Sequence, residues 1–229
     1  MLALADEDPR VVAGAIVGSM ALGPGDRLSD LDLTFALAGD ASVADVLADW
    51  SKTIEEELGG LQLFDLPSGP SIYRVFLLPG CLQFDLSFTP AASFGATGPK
   101  FRLLFGEAVE RAFVEPPSER ELFGYGVHHA LRARICVERG RMWHAEYWVS
   151  ATRDYALLLA CRKRGLPAAQ GRGFDDLPAD VLAGFEDSLP RSVDPGELLR
   201  ALRVVVGGLL REGGDVPELR ELVEADTLS

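Results

Sequence analysis

Residues 18–33 read Gly18-Ser19-Met20-Ala21-Leu22-Gly23-Pro24-Gly25-Asp26-Arg27-Leu28-Ser29-Asp30-Leu31-Asp32-Leu33, and the reading of the whole chain turns on them. The β-branched run over 11–17 predicts a strand that ends in the Gly18-Ser19 turn. A second strand is predicted over 31–37, where alternate side chains share a face: Asp30, Asp32 and Thr34 point one way, Leu31, Leu33 and Phe35 the other. Two carboxylates on one face repel unless a cation stands between them. Mg²⁺ suits that place, since it takes hard oxygen ligands and is usually held by one or two carboxylates together with substrate phosphates. A glycine lets backbone amides approach phosphate closely, and the hydroxyl of Ser19 adds a donor. Turn and strand together point to metal-assisted chemistry on a phosphorylated substrate.

Working outward, apolar residues at helical spacing over 43–58 predict a helix stopped by Gly59-Gly60, and further strands are expected over 61–66, 72–78 and 82–88. The last alternates cleanly. Leu82, Phe84, Leu86 and Phe88 share one side and Gln83, Asp85 and Ser87 the other, so Asp85 stands on a polar face as the third acid. Its rival, Asp65, precedes Pro67-Ser68-Gly69-Pro70 and reads as turn-forming. Pro116-Pro117 breaks both ladders and helices, and Ser118 with Glu121 forms a capping-box pattern that opens a new helix. Helices are expected from there to about residue 139, over 142–164, and more briefly over 178–187, 195–211 and 217–225. The expected fold class is α+β. A sheet-and-helix domain covers residues 1–115 and an all-helical domain covers 116–229.

Composition narrows the partners. The chain has 229 residues, 48% of them hydrophobic, so a sizeable core can be buried. Its 35 acidic against 22 basic residues give a net charge of -13, which argues against a large nucleic-acid partner and suits a cationic small molecule or a basic protein surface. Cys81, Cys136 and Cys161 lack metal-ligand spacing, which fits a reducing cytoplasm. The first ten residues lack a basic region and reach acids at once, unlike a signal peptide, and the apolar run at 204–210 is too short for a membrane span. Adjacent His128 and His129 point about 100° apart on a helix and cannot chelate one ion together. Trp143 and Trp148 suit either a ligand ring or a helix interface. Lys100 and Arg102 suit either a phosphate contact or a solvated turn.

Gly-Ser, ten intervening residues, Asp-Leu-Asp, and a later strand aspartate in Leu-Gln-Phe-Asp-Leu resemble the DNA polymerase β-type nucleotidyltransferase superfamily. A catalytic domain followed by an all-helical one further resembles the bacterial aminoglycoside and lincosamide nucleotidyltransferases. The resemblance implies a polymerase β-like domain with a mixed or antiparallel sheet, and a cytoplasmic enzyme that moves a nucleoside monophosphate from ATP or another triphosphate to a hydroxyl of a small acceptor. It implies Gly18 and Ser19 at the triphosphate, and Asp30, Asp32 and Asp85 as catalytic ligands of Mg²⁺, two ions per site. On the helix over 142–164, Glu146, Ser150 and Arg153 form one polar stripe. By the same resemblance the general base for the acceptor hydroxyl would be Asp85 or Glu146, with Arg153 or Lys163 reaching the nucleotide. Relatives often carry arginines after Gly-Ser, whereas this chain has Met20 and Leu22 there and keeps only Arg27. Alternatives are a protein-modifying enzyme of the toxin-antitoxin type and a catalytically idle binding protein of the same fold. Helices rich in Leu and Val near the C-terminus would suit a homodimer.

Overall fold

The protein is described by a computed structural model at residues 1–23, 25, 29–113 and 115–225. The chain gathers into two compact units, Met1–Glu115 and Pro116–Ser229. In the first, helix α1 (Leu2–Glu7) precedes strand β1 (Val11–Val17), and then come β2 (Leu31–Leu37), helix α2 (Val43–Leu58), β3 (Leu61–Ser68), β4 (Ser71–Leu78), β5 (Leu82–Pro90) and β6 (Phe101–Phe105). The six strands form one mixed sheet in the order β3-β4-β5-β2-β1-β6. Strands β2 and β5 are parallel and all other neighbours antiparallel.

The two faces of the sheet are built differently. Helix α2, capped by the Ser42 hydroxyl that accepts from the amide of Asp45 at 3.3 Å, buries Val46, Leu47, Trp50 and Ile54 as a helical stripe. These pack in one core with Leu33 and Phe35 of β2 and Leu86 and Phe88 of β5. The Trp50 ring lies 5.0 Å from the rings of both Phe35 and Phe88. Gly14 of β1 belongs to the same packing, because a Cβ there would run into the rings of Phe105 and Phe35. The opposite face carries small residues, Ala13, Ala15 and Ala36, which cluster with Phe94. Thr34, Ser87 and Thr89 are buried among the strand residues of this second face, and the Thr89 hydroxyl is 2.6 Å from that of Ser71.

Two elements depart from the sequence reading. The predicted strands and α2 do form, but α1 and β6 are additional, the first a single short stretch of good helix formers and the second a five-residue segment without alternation. Strand β6 exists because the outer edge of β1 takes a partner, so Arg102 lies in a ladder opposite Ile16 and not in a turn. Asp65 is likewise a strand residue. It stands opposite Arg74 of β4, which donates to both its carboxylate oxygens at 2.7 Å. Pro67 does not end β3, because an edge strand tolerates a residue without an N–H.

The second unit is helical: α3 (Glu119–Glu138), α4 (Met142–Lys163), α5 (Ala179–Ala183), α6 (Pro195–Gly213) and α7 (Pro217–Glu224). The capping box at Ser118 and Glu121 is formed, with both reciprocal hydrogen bonds in place. Helix α5 is shorter than the sequence implies, ending at Gly184 before a separate single turn at Glu186–Ser188. The α3, α4 and α6 faces meet over Ala130, Ala133, Val149, Ala156, Leu202 and Val205. Residues 204–210, too short for a span, lie within α6, whose buried stripe includes Val205, Val206 and Leu209. No helix among the described residues is long and apolar enough to cross a membrane.

Asp8 staples α2 to the start of β1. Its carboxylate accepts from the Trp50 indole at 2.9 Å and from the Arg10 guanidinium at 2.8 and 2.9 Å, while Arg10 also reaches Asp49 at 2.8 Å. The Arg10 hydrogen bonds, partly opposed by burial, hold the Asp8 carboxyl down at about 2 against an ordinary 3.8. A carboxyl whose folded pKa is depressed adds stability that is present above its unfolded pKa and lost as pH falls through the folded value. Asp8→Ala is therefore expected to cost about 2–4 kcal/mol in urea unfolding at pH 7, the pKa shift accounting for about 2 kcal/mol and the orphaned indole N–H for the rest. The gap to wild type should narrow by about 2 kcal/mol as the pH is taken from 5 towards 2.

Candidate active site

Parallel pairing of β2 with β5 sets Leu33 opposite Leu86 and Phe35 opposite Phe88, and the same register sets Asp32 opposite Asp85. The two aspartates share the sheet face opposite α2, side by side on adjacent strands. Burial raises the pKa of Asp85 above its ordinary value, and the nearby charge of Asp30 pushes in the same direction. Hydrogen bonds from the Gln83 amide, at 3.0 Å to Oδ1, and from Asp32 pull the other way. Asp30 itself is exposed at the rim, immediately before β2.

Gly18 closes the site from β1. It has φ +70, the left-handed region that disfavours side chains, and it lies so close to Asp32 that a Cβ would collide with Oδ2. Ser19 begins a single helical turn, Ser19–Ala21, and is exposed beside this contact. Met20 packs against the α2-side core, while Leu22 is exposed. Arg27 lies outside the described residues. Arg102 of β6 stands opposite Ile16, so its side chain leaves the sheet on the α2 side, where its guanidinium is 3.5 Å from the Met20 carbonyl. The sequence left Arg102 between a phosphate contact and a solvated turn, because the pairing that sets it beside Met20 joins segments 82 residues apart.

Among the described residues no three His, Cys, Asp or Glu side chains form a ready-made metal cage. The donor chemistry nevertheless fits Mg²⁺. Two carboxyl groups in mutual contact stay together by sharing a proton or by accepting a cation, and Mg²⁺ is ordinarily held by one or two carboxylates, the rest of its shell coming from water and phosphate oxygens.

The residues expected from the helical unit are engaged within it. On α4 the Ser150 hydroxyl donates to Glu146 at 2.7 Å, and Arg153 donates to Ser150 at 3.2 Å and to the Ser188 carbonyl at 3.4 Å. The polar stripe is thus a hydrogen-bonded chain. Lys163 donates to the Glu212 carbonyl near the end of α6 at 2.6 Å, and neighbouring Arg164 grips the Glu212 carboxylate at 2.9 and 3.1 Å. His129 is wedged between Trp148 and Tyr155, with ring centres 4.7 and 4.9 Å away, and burial lowers its pKa. Trp143, by contrast, is 77% exposed.

No family model matches the sequence, and neither does any curated protein. Among solved structures, an aminoglycoside 6-adenyltransferase from Bacillus subtilis superposes on 97% of this chain and 92% of its own, at 10% identity and a TM-score of 0.41.

Gly18→Ala is expected to destabilise the first unit by at least about 1–2 kcal/mol, the cost of the left-handed backbone for a residue with a Cβ. The displacement of Asp32 adds to that cost. Urea unfolding of the variant against wild type checks it, and a change within 0.5 kcal/mol (roughly the scatter of neutral surface substitutions) would refute the close contact.

Proposed function

We propose that the first unit is a polymerase β-like nucleotidyltransferase domain that moves a nucleoside monophosphate from a triphosphate such as ATP to a hydroxyl of a small acceptor, releasing pyrophosphate. The observation that carries this reading is the in-register contact of Asp32 with Asp85 on adjacent parallel strands, with Asp30 at the rim. Asp32 and Asp85 would hold Mg²⁺, with Asp30 completing the acidic cluster on the solvent side. Bound there, the ion would neutralise the phosphates and lower the pKa of the attacking hydroxyl.

The chain's own groups do the rest. Gly18 exposes backbone where a phosphate can approach, and Ser19 offers a hydroxyl. Arg102 leaves the sheet on the α2 side, beside the Met20 carbonyl, and the reading does not call on it. Asp85 would also be placed to receive the proton of the acceptor hydroxyl. A polycationic acceptor of the aminoglycoside kind suits a chain with a net charge of -13. Arg153 and Lys163 already satisfy main-chain carbonyls in the helical unit, and the reading does not call on them.

The test is pyrophosphate release from each triphosphate with Mg²⁺, with and without an aminoglycoside panel. Release that needs the panel is expected, and Asp32→Asn and Asp85→Asn should each lower it at least about 100-fold while the variants still unfold cooperatively. Release that needs a protein acceptor would overturn the small-molecule assignment. No release under any condition would leave a binding protein of the same fold.

A further inference from the structure

Gln83 stands two residues before Asp85 on β5, so both side chains leave the same face of the sheet. Its Nε2 donates to Asp85 Oδ1 at 3.0 Å. The side chain is half-buried, and its strand partner on β4 is Leu77. Nothing in the reaction as proposed above uses this amide.

A carboxylate on a strand turns freely about its last torsion unless something holds one of its oxygens. Here the Gln83 amide holds Oδ1, and the strand register sets the carboxyl group beside Asp32. On the other side of the pair, Gly18 presses against Asp32 Oδ2 and limits the movement of that carboxylate. The two acids are thus each braced by a different neighbour, one by an amide donor and one by backbone contact.

We infer that Gln83 is a positioning residue which orients Asp85 for divalent-cation binding jointly with Asp32. The inference rests on the proposed metal site. It assigns Gln83 no contact with substrate or reacting atoms, only the orientation of a ligand, the role that outer-shell hydrogen bonds play around metal ligands generally.

The experiment is direct titration of Mn²⁺, a paramagnetic stand-in for Mg²⁺, into the full chain with a non-hydrolysable ATP analogue, with free Mn²⁺ followed by electron paramagnetic resonance. Gln83→Leu should weaken Mn²⁺ binding about tenfold or more, the usual consequence of losing an outer-shell partner. Gln83→Met, unbranched and also without a donor, should do the same and serves if the leucine variant fails to fold. Leu82→Ala, whose side chain leaves the opposite face of β5, should bind as wild type does. Any transfer activity lost in the Gln83 variants should return as the metal is raised, which a general loosening of the fold would not allow. Binding by both Gln83 variants within twofold of wild type would overturn the role of Gln83 and leave the metal site standing. Absence of Mn²⁺ binding by the wild-type chain would overturn both.

Discussion

The register of β2 against β5 is the constraint on which the first unit depends. Leu33 with Leu86 and Phe35 with Phe88 must face α2 together, because Trp50 packs against both phenylalanines and none of these side chains is left in water. A one-residue slip would turn one strand's apolar set to the other face, and a two-residue slip would part the aromatic pairs. The arrangement that satisfies the core therefore also brings Asp32 beside Asp85. Hydrophobic burial on one face holds two acids together on the other, against their mutual repulsion.

That opposition explains the features around the pair. The acidic face is lined inward by small and hydroxylated residues, Ala15, Thr34, Ala36, Ser87 and Thr89, which leave little apolar bulk against the carboxyl groups. Gly18 permits the turn after β1 to close on Asp32, and the Gln83 amide steadies Asp85. Elsewhere in the unit, ion pairs serve attachment. Asp8 and Arg10 tie β1 to α2, and Asp65 with Arg74 closes the exposed hairpin of β3 and β4. The helical unit spends its basic residues similarly, with Lys163 and Arg164 clasping the end of α6 and Arg203 holding the Val223 carbonyl of α7.

Much of this was legible in the chain before any coordinates. Alternation over two residues placed Asp30 and Asp32 on one face and Asp85 with Gln83 on another strand's polar face, and the capping box at Ser118 announced α3. What escaped were elements that exist by virtue of a neighbour. Strand β6 has no alternation and forms on the open edge of β1, carrying Arg102 to the Ser19–Ala21 turn. Asp65 looked turn-forming because Pro67 and Pro70 follow closely, yet at the sheet edge Pro67 is tolerated and Arg74 draws Asp65 into the ladder. The carbonyls that Lys163 and Arg153 meet lie 49 and 35 residues away, partners that no local pattern names.

Local periodicity, capping residues and breakers were enough to determine most of the strands and helices, though not α1 or β6, and which side chains of one strand share a face, since those depend on residues only a few positions apart. Which strands become neighbours, in which direction and in which register, is set by burying side chains distant in sequence, and no local pattern encodes it. The sequence alone thus determined three aspartates suited to a metal. Only the tertiary structure decided that Asp32 and Asp85 meet across a parallel pair with Gly18 and Gln83 against them, because this follows from the packing of Phe35, Phe88 and Trp50, and that Arg102 joins a ladder beside Met20, because β1's open edge takes a partner.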